Sequence, residues 1–237
     1  MKRIWIDGVG IDDVSMEEAL ERAMEMDGET KVIFTPNAVM LDAARRDPEI
    51  GALLSHASLS LADGVGAMLA ARRVGETLRA RIAGIDFGEA LLARAEREGL
   101  RVFLLGGKEG VAASAAARLR QRYPALCFCG THWGYFDHAG EENRELLSRI
   151  RLTRADVLIV CLGFPLQERW ICENLSYLTG VRAVAGLGGA LDVWSGSIKR
   201  APRAFSRVGL EWAWRMAREP RRLKHLPSLV RVAVRRH

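Results

Sequence analysis

Arg101-Val102-Phe103-Leu104-Leu105-Gly106-Gly107-Lys108-Glu109-Gly110 is the stretch on which the fold turns. Arg101–Leu105 is short, apolar and rich in strand-forming side chains. A glycine pair then stops it, and Ala112–Arg122 continues with helical spacing. Strand, glycine turn, helix is half of a βαβ unit. The same unit recurs on both sides. Arg3–Ile6, Lys31–Phe34, Ser58–Leu61, Leu126–Cys129, Asp156–Cys161 and Arg182–Ala185 also read as strands. Between them lie amphipathic stretches. Ser15-Met16-Glu17-Glu18 is a capping pattern that opens Ala19–Met26. Ile85–Glu98 places Phe87, Leu91 and Ala95 on one helical face, and Ala112–Arg122 and Glu141–Leu152 behave alike. The expected fold is α/β, Rossmann-like, with a largely parallel sheet flanked by helices.

Such sheets bind ligands beyond the carboxyl ends of their strands, and the polar and glycine-rich residues cluster there. Thr35-Pro36-Asn37 follows Phe34, and Ala62-Asp63-Gly64-Val65-Gly66 follows Leu61. Gly163-Phe164-Pro165-Leu166-Gln167-Glu168 follows Cys161, and Gly186-Leu187-Gly188-Gly189 follows Ala185. Gly106 and Gly107, opening a helix, would let backbone N–H groups approach a phosphate, or would simply make a tight turn. Asp63 is the carboxylate expected to serve as a base, with an N-cap as the plainer role. Thr35 and Asn37 orient a hydroxyl-bearing substrate or cap a helix through Val39–Arg45. Gln167 and Glu168 sit at a helix start, where capping is again the plainer role. There is no GxxxxGK[ST] phosphate loop and no GxGxxG fingerprint.

Composition bounds the rest. A chain of 237 residues, 49% hydrophobic and 27% charged, can bury a substantial core. No apolar run approaches the roughly 18 residues that span a bilayer, and the N-terminus reads as a strand, so a cytoplasmic protein is expected. Cys127, Cys129, Cys161 and Cys172 lack zinc-ribbon spacing and are expected to be buried thiols. His56, His132, His138 and His225 form no metal pattern, and no Asp-x-Asp triplet is present to hold a metal on a diphosphate. Charge is segregated. Residues 199–237 hold 12 Lys/Arg against 2 Asp/Glu, a net +10, so residues 1–198 carry −4 of the chain's +6. The composition thus divides the chain into an α/β domain, 1–198, and a basic appendage, 199–237. Tryptophans interleave with arginines in Glu211-Trp212-Ala213-Trp214-Arg215. That pairing suits an anionic lipid surface first, an anionic polymer second; a charged helix packed on the body is the third reading.

Taken in order, the motifs are Thr35-Pro36-Asn37, Ala62-Asp63-Gly64-x-Gly66, Arg81-x-x-Gly84-x-Asp86 and Phe103-Leu104-Leu105-Gly106-Gly107. Then come Gly134-x-Phe136, Gly163-x-Pro165-x-Gln167-Glu168-x-Trp170, Gly188-Gly189-x-x-Asp192, Arg200-Ala201-Pro202, Gly209-Leu210-Glu211-Trp212-x-x-Arg215 and Glu219-Pro220-x-Arg222. This set resembles the WecG/TagA/CpsF family of bacterial glycosyltransferases from about residue 30 to 225. The resemblance implies an inverting, metal-independent transfer of an N-acetylmannosamine-type sugar from a UDP donor. The acceptor it implies is N-acetylglucosamine on a polyprenyl diphosphate, at the cytoplasmic face of the membrane, in teichoic-acid-type synthesis. It assigns Asp63 as base, with Thr35, Asn37, Gln167 and Arg81 in the catalytic set. Substrate binding would fall to Gly106, Gly107, Gly163, Glu168, Gly189, Asp192, Arg215, Arg222, Lys224 and His225. His225 stands where the family has an arginine, with Lys224 beside it. The appendage would dock on the membrane, and a homo-oligomer is compatible. No resident cofactor or metal is implied, and no nucleic acid.

Rival readings are a different UDP-hexose or the uronic acid as donor, for an exopolysaccharide or common antigen, and a non-catalytic nucleotide-sugar binder. A nucleic-acid binder and a dinucleotide-dependent dehydrogenase come behind. Nothing in the tail matches a nucleic-acid-reading motif, and the acidic body would repel a polyanion.

Overall fold

All strands of the main sheet but the edge strand β6, Cys127–His132, are buried on both faces along most of their length, as a parallel sheet between helical layers requires. The computed structural model describes residues 2–202 together with Phe205, Trp214, Ser228 and Arg231. A hairpin of β1 (Arg3–Ile6) and β2 (Val9–Asp12) opens the chain. The strands β3 (Lys31–Phe34), β4 (Leu59–Ser60), β5 (Arg101–Gly106), β6 (Cys127–His132), β7 (Val157–Cys161) and β8 (Ala183–Gly186) follow. They form one six-stranded sheet in the order β4-β3-β8-β7-β5-β6, with every pairing parallel. The helices are α1 (Met16–Ala23), α2 (Ala38–Arg46), α3 (Pro48–Ser55), α4 (Gly64–Arg73), α5 (Gly84–Arg97), α6 (Val111–Arg122), α7 (Glu141–Leu152), α8 (Leu166–Asn174) and α9 (Ala190–Trp194). The architecture is α/β and Rossmann-like.

Side-chain alternation along the strands builds two cores. Phe34, Phe103, Leu105, Leu158 and Val160 join α2, α3, α4, α7, α8 and the N-terminal hairpin on one face. Ile33, Val102, Leu104, Ile159 and Ala185 join α1, α5, α6 and α9 on the other. Phe87, Leu91 and Ala95, the expected face of α5, are fully buried. Along the order β3, β8, β7, β5, β6 the helices that leave the strands are α2, α9, α8, α6 and α7. These fall alternately on opposite faces. In open α/β sheets, ligands are taken at the carboxyl edge where the connections part to opposite faces.

Two expectations are corrected. The N-terminal strand does not enter the main sheet; it turns at Asp7 and Gly8, both at positive φ, and pairs with β2. The thiols are not uniformly buried. Cys161 is, but Cys172 on α8 is half-buried, and on the edge strand β6 Cys129 is half-buried and Cys127 is exposed. No helix among the described residues is long and apolar enough to cross a membrane.

Candidate active site

The left half of the carboxyl edge is built by β3 and β4. Their exits are stitched together by backbone bonds, Leu61 N–H to Phe34 O at 2.9 Å and Asp63 N–H to Pro36 O at 3.0 Å. Ile82 N–H donates to Ala62 O at 3.0 Å, so the segment that carries Arg81 lies beside Asp63. Thr35 is buried, and its hydroxyl reaches Gly186 O at 3.4 Å. Thr35, Asn37, Asp63 and Arg81 are thus brought to one place. The glycines of these motifs have structural work. A Cβ on Gly66 would lie 2.4 Å from the Ala38 Cβ, and one on Gly84 would lie 3.0 Å from the Thr35 hydroxyl. Gly64 takes φ +78°, the left-handed region in which an L side chain is strained.

Asn37 caps α2, its Oδ1 accepting from Val39 N–H at 2.9 Å and Met40 N–H at 3.3 Å. Asp63 occupies the N-cap position of α4, half-buried and with extended backbone, but its side chain makes no cap hydrogen bond. The capping role is met at Asn37 and not at Asp63.

In the middle of the edge, β7 and β8 contribute Gln167, Glu168 and a glycine turn. Gln167 does not cap α8. Its side chain crosses to the turn after β8, where Oε1 accepts from Gly188 N–H at 2.9 Å. Its Nε2 donates to Glu168 Oε1 at 2.6 Å. Glu168 is wholly buried and Gln167 nearly so. Burial pushes the Glu168 carboxyl up to about 7, against the pull of the Gln167 and backbone hydrogen bonds. Gly163, at φ +82°, leads into α8, and Gly189 occupies the N-cap of α9, with half-buried Asp192 in that helix's first turn.

The right half differs from expectation. Gly106 and Gly107 do not open a helix; α6 begins at Val111 behind a Gly110 N-cap. The pair is a turn pressed between neighbouring strand exits. Gly106 sits at φ +130°, where a Cβ would lie 2.2 Å from Cys161 O. Gly107 N–H donates to Cys161 O at 3.2 Å, and Gly134 N–H donates to Gly107 O at 2.8 Å. The Gly107 amide is therefore already spent within the fold.

The tail begins on the body. Arg200 pairs with Asp86 and lies 3.8 Å from Glu89, both on α5. Arg231 reaches back to α2, its Nη2 2.7 Å from the Asp42 carboxylate. Arg215, Arg222, Lys224 and His225 lie outside the described residues. Among the described residues no three His, Cys, Asp or Glu side chains converge as a metal site would need. Two open cavities lie elsewhere. One of about 600 Å³ is lined by α7 residues with Asn174 and Tyr177, and one of about 830 Å³ lies beside Thr30 and Arg182.

The model of the glycosyl transferase WecG/TagA/CpsF family matches residues 4–236. The chain is also similar to the N-acetylglucosaminyldiphosphoundecaprenol N-acetyl-beta-D-mannosaminyltransferase of Bacillus spizizenii (strain ATCC 23059 / NRRL B-14472 / W23). The two are 34% identical over 197 residues, covering 83% of this chain and 75% of that protein.

Proposed function

This chain belongs to the WecG/TagA/CpsF family of glycosyl transferases, and from that premise we propose that it moves N-acetylmannosamine from a UDP donor to N-acetylglucosamine on a polyprenyl diphosphate. The named relative performs the transfer of an N-acetyl-β-D-mannosaminyl group to N-acetylglucosaminyldiphosphoundecaprenol. The observation that carries the reading here is the carboxylate at Asp63. It sits at the carboxyl edge, at the N-cap position of α4, with Thr35, Asn37 and the Arg81 segment beside it.

In the proposed reaction the Asp63 carboxylate takes the proton of the acceptor hydroxyl as that oxygen attacks the donor's anomeric carbon. The bond from the anomeric carbon to the UDP oxygen breaks, and UDP leaves with the electron pair. One displacement inverts the anomeric centre and needs no covalent enzyme intermediate. An ordinary carboxylate, with a pKa near 4, is ionised at neutral pH, so position decides its use as a base. Thr35 and Gln167 orient the sugar. The glycine turns at Gly106, Gly107, Gly163 and Gly189 keep side chains out of the donor's path, and Asp192 completes the pocket wall. Arg81 faces the developing negative charge, joined by Arg215, Arg222, Lys224 and His225 of the tail, with no metal required. The division at residue 198 separates the catalytic body from this basic appendage. The appendage holds the enzyme on the inner face of the plasma membrane, since each engaged cation contributes about 1 kcal/mol near an anionic leaflet.

The test is UDP release from UDP-N-acetylmannosamine and a short-chain lipid diphosphate-N-acetylglucosamine, with EDTA present. Acceptor-dependent release is expected. Donor binding without release would replace the acceptor or leave a binding role. Release abolished by EDTA would overturn the metal-free step. For the appendage, a chain ended at Ile198 should no longer sediment with phosphatidylserine or phosphatidylglycerol vesicles; undiminished sedimentation would remove the tail as the anchor.

A further inference from the structure

We propose that Glu168 is a positioning residue for Gln167, fixing which way the Gln167 carboxamide faces at the carboxyl edge. The inference rests on the reading that Gln167 meets the substrate. An amide has two nearly isosteric ends, a donor and an acceptor, and a substrate hydroxyl reads them differently. Both ends of Gln167 are set by the fold. Oε1 is held by Gly188 N–H at 2.9 Å, and Nε2 by Glu168 Oε1 at 2.6 Å. Gly186 gives the room for this, since a Cβ there would lie 3.0 Å from Gln167 Nε2. Each end still has capacity for one more partner: an Nε2 proton and an Oε1 lone pair.

The usual reasons for a glutamate at this place do not apply. In the first turn of a helix a glutamate commonly reaches back to the N-cap N–H. Here the N-cap of α8 is Pro165, which has no N–H. Glu168 is wholly buried and has no ion pair among the described residues, and its Oε2 has no hydrogen-bond partner among them. Cys172 lies on the same helix, and its thiol is raised to about 11 by burial and then by Glu168 and Glu173. An acid kept in such surroundings is costly, and a leucine would fill the space with less expense. Among the described residues, the side chain it hydrogen-bonds is that of Gln167. The upward pull on its carboxyl agrees with a group placed for geometry and not for charge.

The experiment is a double-mutant cycle in the UDP-release assay, with melting temperatures recorded throughout. Glu168→Leu should lower kcat on the order of 10-fold to 100-fold, as a misplaced positioning group does. Glu168→Gln keeps an acceptor oxygen of the same reach and should recover most of that loss. In a Gln167→Leu background, Glu168→Leu should have no further effect on kcat. If Glu168→Leu does not fold, Glu168→Asp withdraws the oxygen by one methylene and takes its place in the cycle. Losses that multiply would overturn the inference while leaving Gln167 in the site. A Glu168→Gln enzyme as impaired as Glu168→Leu would overturn the acceptor role. Normal kcat and KM in Gln167→Leu would sink both the inference and the reading beneath it.

Discussion

The exits of β3 and β4 look alike in sequence and are used differently. Each strand is followed by a small polar residue, Asn37 or Asp63, at the N-cap of the next helix, with extended backbone in both. Asn37 spends its carboxamide oxygen on the first two free N–H groups it can reach. Asp63 makes no cap bond, and α4 starts instead through Gly64 at positive φ and the close packing of Gly66 on Ala38. A cap residue is a structural element that happens to be polar. A polar residue at a cap position that does not cap has its side chain directed to another use. The pair teaches that residue type and position are not enough to assign a role; the hydrogen-bond partner decides.

The largest expected effect breaks the comparison on its chemical side. Asp63→Asn keeps the shape and removes the base, so turnover should fall by roughly 10²–10⁴-fold with the melting temperature nearly unchanged. A folded Asp63→Asn enzyme with near-normal UDP release would end the assignment of Asp63 as base. Next comes the contact that sets the two exits side by side. Gly66→Ala drives a methyl into Ala38 and should cost about 1–3 kcal/mol of stability, as overpacking does. Denaturant midpoints would show it, and an unshifted midpoint would mean that α4 is not seated on α2 there. Third is the cap itself. Asn37→Ala should lose about 1 kcal/mol, whereas Asp63→Ala should lose no cap contribution. Equal losses from the two alanines would erase the distinction.

The sequence carried the sheet because buried parallel strands are short apolar runs, and four of the six, β3, β4, β5 and β8, end in or run directly into glycine or a small polar residue. It also carried the convergence of Thr35, Asn37 and Asp63, since all three follow strands directly. What it hid were partners. The Asp7-Gly8 turn is a hairpin signal that would have revealed β2, and it lies in Met1–Asp12, where one strand alone was expected. Whether Gly107 N–H is spent depends on Cys161, and whether Asn37 caps depends on which rotamer wins. Glu168 reads as a capping glutamate at a helix start; only the proline at the N-cap hints otherwise. The Arg231 contact with Asp42 joins positions 189 residues apart, and no local pattern encodes such a pair.

That last contact gives the smallest and most conditional prediction, because it fixes α2 a turn beyond the Asn37 cap. Asp42 has a fully buried carboxylate with Arg231 at 2.7 Å, Arg46 at 3.1 Å and Arg45 at 3.5 Å. Burial pushes its pKa up, but Arg231, Ser228 and Arg46 outweigh burial and hold it at about 2, below the ordinary 3.8. A carboxyl depressed in the folded state contributes stability that is complete above its unfolded pKa and is lost as pH falls through the folded value. Wild-type stability should therefore decline between about pH 4 and pH 2 through this group, and Asp42→Asn should flatten that decline. The pair is partly exposed on the arginine side, so added salt should shrink the difference at neutral pH. Glu168 imposes the opposite slope. Its folded pKa of about 7 lies above the ordinary 4.5, so its share of stability is lost as pH rises through 7, and Glu168→Gln should flatten that side alone. Melting curves across pH 2–8 for the two variants would separate the buried acid ringed by arginines from the buried acid that has none beside it among the described residues. Identical slopes in the two variants would mean that the cations around Asp42 do not set its ionisation.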